Sequence, residues 1–162
     1  MINFKTLFEK QKELDLEIAR KHNITYKETR ERRTLSLFVE LGELANSTRC
    51  FKYWSTKPSE SKERVMDEYA DGLHFLISLG IDAEINIYEF EQKSSDLDLS
   101  NLFLEMYEKV CLFMKERNAE NYINCFETYL SIANKLDMSE EDIFNSYLLK
   151  LGENYHRQET NY

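Results

Sequence analysis

Apolar side chains recur along this 162-residue chain at the three- and four-residue spacing of α-helices, and no stretch alternates in the manner of a β-strand. Residues 3–22 carry an apolar stripe at heptad-like spacing, which predicts an amphipathic first helix. A weaker pattern over residues 84–92 predicts a short helix, and residues 93–100 form a polar link. Further helices are predicted over residues 29–50, 59–80, 102–116, 122–136 and 139–154.

The amino-acid composition supports a helical fold. One Pro and four Gly in the whole chain are too few for a turn-rich β protein. The length suits one domain with a substantial core. We therefore expect a single all-α domain over residues 1–162, a bundle of about five to seven helices with a four-helix core that binds metal.

Charge and cysteine content restrict the partners and the location of the protein. The net charge of −9 argues against a broad nucleic-acid-binding face, and the only basic run is Lys27–Arg33. No apolar run reaches the roughly 18 residues of a membrane span, and the N-terminus lacks the apolar core of a signal peptide. Cys50, Cys111 and Cys125 lack metal-ligand spacing and predict reduced thiols. We expect a cytoplasmic protein with no membrane or nucleic-acid partner.

Four carboxylates stand out in the second and third predicted helices, in the motifs Glu40-Leu-Gly-Glu43 and Glu68-Tyr-Ala-Asp71. The acids of each pair are three residues apart, so both side chains lie on one flank of a helix. Residues 65–92 contain no Lys or Arg that could neutralise the second pair. Neighbouring helices would bring the four carboxylates together, and their mutual repulsion would require cations. Oxygen ligands favour Mg²⁺ or Mn²⁺ over zinc.

A solvated acidic flank is the alternative interpretation of the first pair. A helical projection places Glu40 and Glu43 roughly opposite Phe38, Leu41 and Ala45, which is the pattern of an amphipathic surface helix. Spacing alone does not separate the two interpretations, because acids three residues apart are common on helices.

Three other features are candidates for ligand binding, and each also has a structural interpretation. Gln11 interrupts the apolar stripe of the first helix, where it either completes a helix–helix contact or faces a cavity. Trp54 is either a core or interface aromatic, or a flat ring between two lysines that suits a base and its phosphates. The polar tail, residues 150–162, contains two basic groups and a tyrosine, and either closes over a ligand or frays.

The order of these features resembles the dimeric, all-α dUTPase family, within the all-α nucleoside triphosphate pyrophosphohydrolases, over nearly the whole chain. The two acid motifs match the E-x-x-E and E-x-x-D metal motifs of that superfamily. Asn161 replaces a Gly of the C-terminal family motif, and Asp15 replaces an Asn found in many relatives. The other matching segments are Gln11-Lys-Glu-Leu14-Asp15, Phe51-Lys52-Tyr53-Trp54, Asp71-Gly-Leu-His74-Phe75 and Asn154-Tyr-His-Arg157-Gln158, followed by Tyr162.

The resemblance implies a Mg²⁺-dependent enzyme that converts dUTP to dUMP and pyrophosphate, with dUDP as a further candidate substrate. About two or three Mg²⁺ ions, or Mn²⁺, would be held by Glu40, Glu43, Glu68 and Asp71. Glu40 or Glu43 would be the general base, and Gln11 would recognise uracil. The substrate-binding residues expected from the resemblance and the charge pattern are Gln11, Asp15, Lys52, Trp54, Lys57, His74, Phe75, Lys150, Asn154, Arg157 and Tyr162.

The same resemblance bears on partners and on alternatives. The family is dimeric, so we expect a homodimer, and some phage-borne relatives bind a repressor protein, which nothing in this sequence tests. One alternative is a pyrophosphohydrolase for another nucleotide such as dCTP, which a substrate panel distinguishes. The other is a regulatory helical binding protein, against which the intact set of four acids argues.

Overall fold

Six helices and one minimal pair of strands make up the chain, and the computed structural model describes all 162 residues. The prediction of an all-α bundle of five to seven helices is confirmed. None of the helices combines the length and apolar character needed to cross a membrane. In chain order the elements are β1 (Ile2–Asn3), α1 (Lys5–His22), α2 (Tyr26–Thr48), α3 (Lys62–Asp82), β2 (Glu89–Phe90), α4 (Leu99–Lys115), α5 (Ala119–Lys135) and α6 (Glu140–Glu159).

Helix α3 lies at the centre of the bundle. Helices α1, α2 and α6 pack against it, and α5, itself paired with α4, contacts another part of its surface. Between Val65 and Gly80, most positions of α3 are buried. This burial on several sides explains why the α3 sequence is apolar around nearly its whole circumference. Any polar side chain on α3 therefore faces another helix or a cavity between helices.

Two glycines allow α5 to approach α3 closely. A Cβ atom at Gly72 would lie 2.3 Å from Tyr129 Oη, and one at Gly80 would lie 2.3 Å from the Tyr122 ring. The two tyrosine hydroxyls donate hydrogen bonds into the α3 backbone, to the carbonyls of Tyr69 (2.6 Å) and Leu76 (2.8 Å). We predicted Gly80 as the residue that ends this helix, which is wrong. It is a packing residue, and α3 continues to Asp82.

Polar side chains begin five of the six helices, as the sequence pattern suggests. Thr25 forms a reciprocal capping box with Glu28 at the start of α2, which places that start three residues earlier than predicted. Ser61 caps α3 by accepting from the Arg64 backbone N–H, so this helix begins later than the predicted residue 59. Asp98, Asn118 and Ser139 cap α4, α5 and α6 in the same way.

The predicted short helix over residues 84–92 is wrong. This segment is extended, and β2 pairs antiparallel with β1 so that Phe90 lies opposite Ile2. Phe90 is fully buried against the ring of Phe126, with 3.9 Å between ring centroids, and Phe4 packs on the same cluster. Burial of these aromatic rings stabilises the extended backbone. A short, weakly amphipathic helix over the same residues would be less stable.

Candidate functional site

Three carboxylates converge between α2 and α3. One oxygen from each of Glu40, Glu68 and Asp71 lies within 4.8 Å of the others, a spacing that one metal ion can bridge. Helix α2 contributes Glu40, and the pair on α3 follows from the three-residue spacing that the sequence shows. The antiparallel packing of two consecutive helices thus brings together acids that are 28 residues or more apart in the chain.

Glu43 lies beside this cluster rather than within it. It is exposed, and it lines a shallow cleft of about 490 Å³ together with Arg64 and Glu68. Its carboxyl group is close enough to Glu40 to raise the pKa of Glu40 through a hydrogen bond and through charge. Three of the four predicted acids are therefore brought together, and the fourth lies at the solvent side of the cluster.

The carboxyl groups of the cluster have too little positive charge around them to keep their pKa values at the ordinary level. Burial and, to a smaller extent, the nearby charge of Asp71 together raise the pKa of Glu40 to about 8. Burial also raises the pKa of Glu68 and of Asp71 above their ordinary values. Oε2 of Glu40 and Oε2 of Glu68 are buried and have no hydrogen-bond partner. Oxygen atoms in this state are suited to a bound cation.

Two cations from outside residues 65–92 approach the cluster, a contact that the sequence pattern did not predict. Arg64 Nη2 lies 2.7 Å from Glu68 Oε1. From α6, the buried Lys150 places Nζ 2.8 Å from Asp67 and 3.2 Å from Asp71. Burial lowers the pKa of Lys150, but these carboxylates outweigh burial and raise it overall. Lys150, expected to bind phosphate, is therefore engaged with acids, and its role with substrate remains a prediction.

A cavity of about 600 Å³ opens beside the cluster, between α1, α2, α3 and α6, and both Glu40 and Asp71 line it. Its volume is within the range of small-molecule sites. Seven of the predicted substrate-binding residues line this cavity: Gln11, Asp15, His74, Phe75, Asn154, Arg157 and Tyr162.

A hydrogen-bonded polar network forms one end of the cavity. Gln11 Nε2 donates to Asp15 Oδ1 (3.0 Å), and Tyr147 Oη donates to Gln11 Oε1 (2.9 Å). The hydroxyls of Tyr26 and Ser78 donate to Asp15 Oδ2, at 2.9 and 2.8 Å. Burial raises the pKa of Asp15, and these donated hydrogen bonds oppose the rise. Gln11 therefore faces a cavity and also completes a contact between helices, so both interpretations of its place on the apolar stripe hold.

His74 is a neutral member of this network. Its ring is buried and stacks on Tyr147 with 4.0 Å between centroids. Burial lowers its pKa to about 3. Nδ1 lies 2.5 Å from Gln11 Oε1, whereas Nε2 is 3.3 Å from the Tyr147 carbonyl. Both oxygens can only accept, and a neutral imidazole carries one N–H, so the ring donates to one of the two.

Sequence reasoning missed Tyr26, Ser78 and Arg33 as residues that line the cavity. The signal for Ser78 was available, because it lies one helical turn beyond His74 and two beyond Asp71 on the same face of α3. No comparable signal existed for the other two, which reach the cavity from the start of α2. Arg33 lies over the Tyr26 ring, 4.8 Å from its centroid.

The loop between α2 and α3 does not line this cavity. Trp54 is 65 % exposed and contacts only its aromatic neighbours edge-on, at 5.2 Å from Tyr53 and 6.2 Å from Phe51. Lys52 and Lys57 lie on the same loop and do not line the cavity. The three loop residues expected to bind substrate remain predictions.

The C-terminal tail lies against α1 at the mouth of the cavity. Helix α6 continues to Glu159 instead of fraying at residue 154. Lys21 Nζ donates to the Gln158 carbonyl, and the Arg157 guanidinium stacks over the Tyr162 ring at 4.7 Å. Arg157 Nη2 also pairs with Glu153 at 2.7 Å. These contacts hold Arg157 and Tyr162 beside the cavity.

The all-α bundle places acids with unpartnered oxygens beside a cavity with a polar end, an arrangement that suits an all-α enzyme with a metal-binding core. The dUTPase family model matches residues 3–162, so the chain belongs to the dUTPase family and is a hydrolase with dUTP diphosphatase activity. Among curated proteins, none matches the chain.

Proposed function

We propose that this dUTPase is a Mg²⁺-dependent enzyme that converts dUTP to dUMP and pyrophosphate at the Glu40, Glu68 and Asp71 cluster. The observation that carries the proposal is the pair of buried oxygens without partners, Oε2 of Glu40 and Oε2 of Glu68. Glu40 and Asp71 also line the cavity. Carboxylate oxygens alone favour a hard cation, which supports Mg²⁺, with Mn²⁺ as a substitute.

The chemistry follows from what the residues of the cluster supply. Bound Mg²⁺ would neutralise the phosphate oxygens and acidify the attacking water. Glu68 and Asp71 would hold the cation. Of Glu40 and Glu43, one would act as a further ligand and the other as the general base. Glu43 is the member outside the three-carboxylate cluster, and its exposure to solvent gives it direct access to water.

The remaining cavity residues would position the nucleotide. Arg157 provides a guanidinium at the cavity mouth that suits bidentate contact with phosphate. Phe75 provides an apolar wall for the base on the same side as Asp71. Hydrolysis of dUDP to dUMP and phosphate breaks the same bond between the α- and β-phosphates, so dUDP is included in the proposal.

An assay of purified protein against dUTP, dUDP, dCTP, dTTP and UTP tests this function. We expect dUTP to be the preferred substrate, with dUMP and pyrophosphate as products and with activity lost in EDTA and restored by Mg²⁺. Turnover that persists in EDTA, or in the Glu43→Gln/Glu68→Gln double variant, would refute the metal mechanism. Equal turnover of dCTP would leave the metal site in place and remove the uracil preference.

We also propose that the protein is a homodimer. Leu35 of α2 is 63 % exposed and Met114 of α4 is 51 % exposed, and both border an apolar groove of about 310 Å³ that also includes Phe38. Exposed apolar surface of this kind is typical of subunit interfaces. Light scattering at micromolar concentration tests this assembly, and Leu35→Glu should increase the monomer fraction. A fully active monomer would contradict the proposal.

A further inference from the structure

Glu153 on α6 pairs with the two basic side chains that this helix directs toward the acid cluster and the cavity. Its Oε1 atom accepts a hydrogen bond from Arg157 Nη2 at 2.7 Å, and its Oε2 atom lies 3.3 Å from Lys150 Nζ. The three residues are spaced by three and by four positions, so they follow one flank of the helix. One carboxylate is therefore shared by two cations.

The ammonium group of Lys150 is surrounded by three carboxylates. Asp67 makes the shortest contact, at 2.8 Å, and Asp71 follows at 3.2 Å. Glu153 makes the longest contact, and its side chain is 44 % exposed, whereas that of Asp71 is 21 % exposed. Ion pairs that reach solvent contribute little to stability. Glu153 is therefore the acid that can leave Lys150 at the lowest cost.

Arg157 is held by the same carboxylate at the mouth of the cavity. One edge of its guanidinium donates to Glu153, and its face lies over the Tyr162 ring at 4.7 Å. Arg157 lines the cavity and Glu153 does not, so the carboxylate binds the guanidinium from outside. Release of Glu153 would free Nη2, and a guanidinium with a free edge can bind phosphate in bidentate fashion.

We propose that Glu153 competes with the terminal phosphates of the nucleotide for Lys150 and Arg157, and so makes binding depend on the number of phosphates. The β- and γ-phosphates of dUTP displace the carboxylate, and one displacement frees both cations. The product dUMP lacks these phosphates and leaves both ion pairs of Glu153 intact, which favours its release. The inference rests on dUTP being the substrate and concerns the phosphate side of the same site.

Binding measurements by calorimetry in Mg²⁺ test this competition, with dUMP and the non-hydrolysable α,β-imido analogue of dUTP as ligands. We expect Glu153→Gln to bind the imido analogue about three- to fivefold more tightly than the wild-type protein, a factor set by the weakness of exposed ion pairs. The affinity for dUMP should stay within about twofold of wild type. The fold should be retained, because Glu153 is exposed.

Glu159→Gln is the matched control. It removes the same charge from an exposed position near the end of the same helix, and Glu159 forms no ion pair with Lys150 or Arg157. We expect this variant to bind both ligands as the wild-type protein does. An affinity for the imido analogue that is equal in Glu153→Gln and Glu159→Gln would overturn the proposal.

Two other results would also overturn it. Weaker binding of the imido analogue by Glu153→Gln would show that the carboxylate positions Arg157 for phosphate instead of competing with phosphate. Equal tightening of dUMP and the analogue would indicate a general charge effect that does not depend on the number of phosphates. A wild-type protein that neither binds the analogue nor hydrolyses dUTP would be a different result, because it would refute the proposed function and the inference with it.

Product inhibition of dUTP hydrolysis provides a second measurement. In Glu153→Gln we expect the inhibition constant of pyrophosphate to fall by about the same three- to fivefold, since pyrophosphate presents the phosphates that compete with the carboxylate. The inhibition constant of dUMP should not change. A pyrophosphate constant that does not fall in this variant would contradict the competition.

Discussion

Helix α3 carries buried acids in two places, and their pKa values are shifted in opposite directions. At its C-terminal end, Asp82 is 3 % exposed and receives three arginines, from Arg30 at 2.9 Å, Arg33 at 3.2 Å and Arg117 at 3.5 Å. Burial alone would raise the pKa of Asp82, but the Arg30 hydrogen bonds and the arginine charges outweigh burial and lower it.

The N-terminal half of the same helix shows the reverse balance. Glu68 and Asp71 have raised pKa values, and so does their neighbour Glu40 on α2, because burial is not offset by enough positive charge. The comparison separates two roles for a buried carboxylate. An acid that the protein neutralises itself holds helices together, whereas an acid left with an unpartnered oxygen is placed where a ligand must supply the charge.

The largest expected effect is on catalysis at the unneutralised end. Glu68→Gln should reduce kcat for dUTP at least about a thousandfold, roughly 4 kcal/mol, because a cation ligand is lost at the reacting phosphate. The fold should be retained, since the substitution removes a charge that burial disfavours. Initial-rate assays in Mg²⁺ measure the loss. Glu63→Gln, an exposed acid in the first turn of α3, is the control and should behave as wild type.

Asp82→Asn, at the C-terminal end of α3, should lower stability and leave activity unchanged. Removal of the carboxylate leaves three arginines without their counterion, at a cost of about 3 kcal/mol of folding free energy. For a chain of this length, that is roughly 6–12 °C in Tm. Activity per folded molecule should remain, because Asp82 does not line the main cavity. An Asp82→Asn protein that is stable but inactive would contradict the structural role assigned to Asp82.

The metal-free protein should lose stability as the pH rises toward 8. Glu40 holds its proton in the folded state up to about pH 8, whereas the unfolded chain releases it near pH 4.5. The unfolded state therefore binds fewer protons between these values, and stability falls with rising pH. Between pH 6.5 and 8 we expect a loss of about 1 kcal/mol, reduced by partial exposure of the group to solvent.

Thermal unfolding in EDTA at several pH values measures this slope. The range above pH 6.5 avoids the opposite contribution of His74, whose lowered pKa removes stability only as the pH falls below that of a free histidine. Saturating Mg²⁺ should flatten the slope, and Glu40→Gln should remove most of it without metal. If neither Mg²⁺ nor Glu40→Gln changes the slope, Glu40 is already ionised in this pH range and its pKa is not raised.

The smallest effect concerns Lys150, the one cation bonded to Asp71. Replacing it with methionine should tighten Mg²⁺ binding a few-fold, because a positive charge beside the metal site is removed. Titration of the metal by calorimetry measures this change. If Lys150 instead serves mainly as a phosphate ligand, KM for dUTP should rise while the affinity for Mg²⁺ alone stays constant.

The convergence of three acids was the part of the candidate site that could be predicted best from the sequence. Glu40, Glu68 and Asp71 stand out in the sequence because they are acids on mostly apolar helices. Residues 65–92 contain no Lys or Arg that could pair with the two acids on α3. The partners of Asp82 could not be found in this way, because Arg30 lies on α2 and Arg117 lies in the connection between α4 and α5, and only the packing brings them together. The same limit applies to Lys150, which looked like part of a polar tail and lies buried against α3.

Local pattern also failed where tertiary contacts outweighed it. The residues around Phe90 have a weak helical period, but their aromatic contacts favour an extended backbone. Gly80 has the character of a helix end, and only the position of Tyr122 explains why a glycine occurs inside the helix. Gln11 was recognised from its break in the apolar stripe, whereas its hydrogen-bond polarity depends on residues from three helices.

The close approach of α5 at Gly72 has a consequence for motion. Gly72 follows Asp71 directly, and the Tyr129 hydroxyl fills the space where a side chain would lie while it bonds to the α3 backbone. No flexible side chain separates the two helices there, so sliding of α3 along α5 would break a buried hydrogen bond. We therefore expect the acids on α3 to stay fixed during turnover, and closure around the nucleotide to come from α1 and the end of α6.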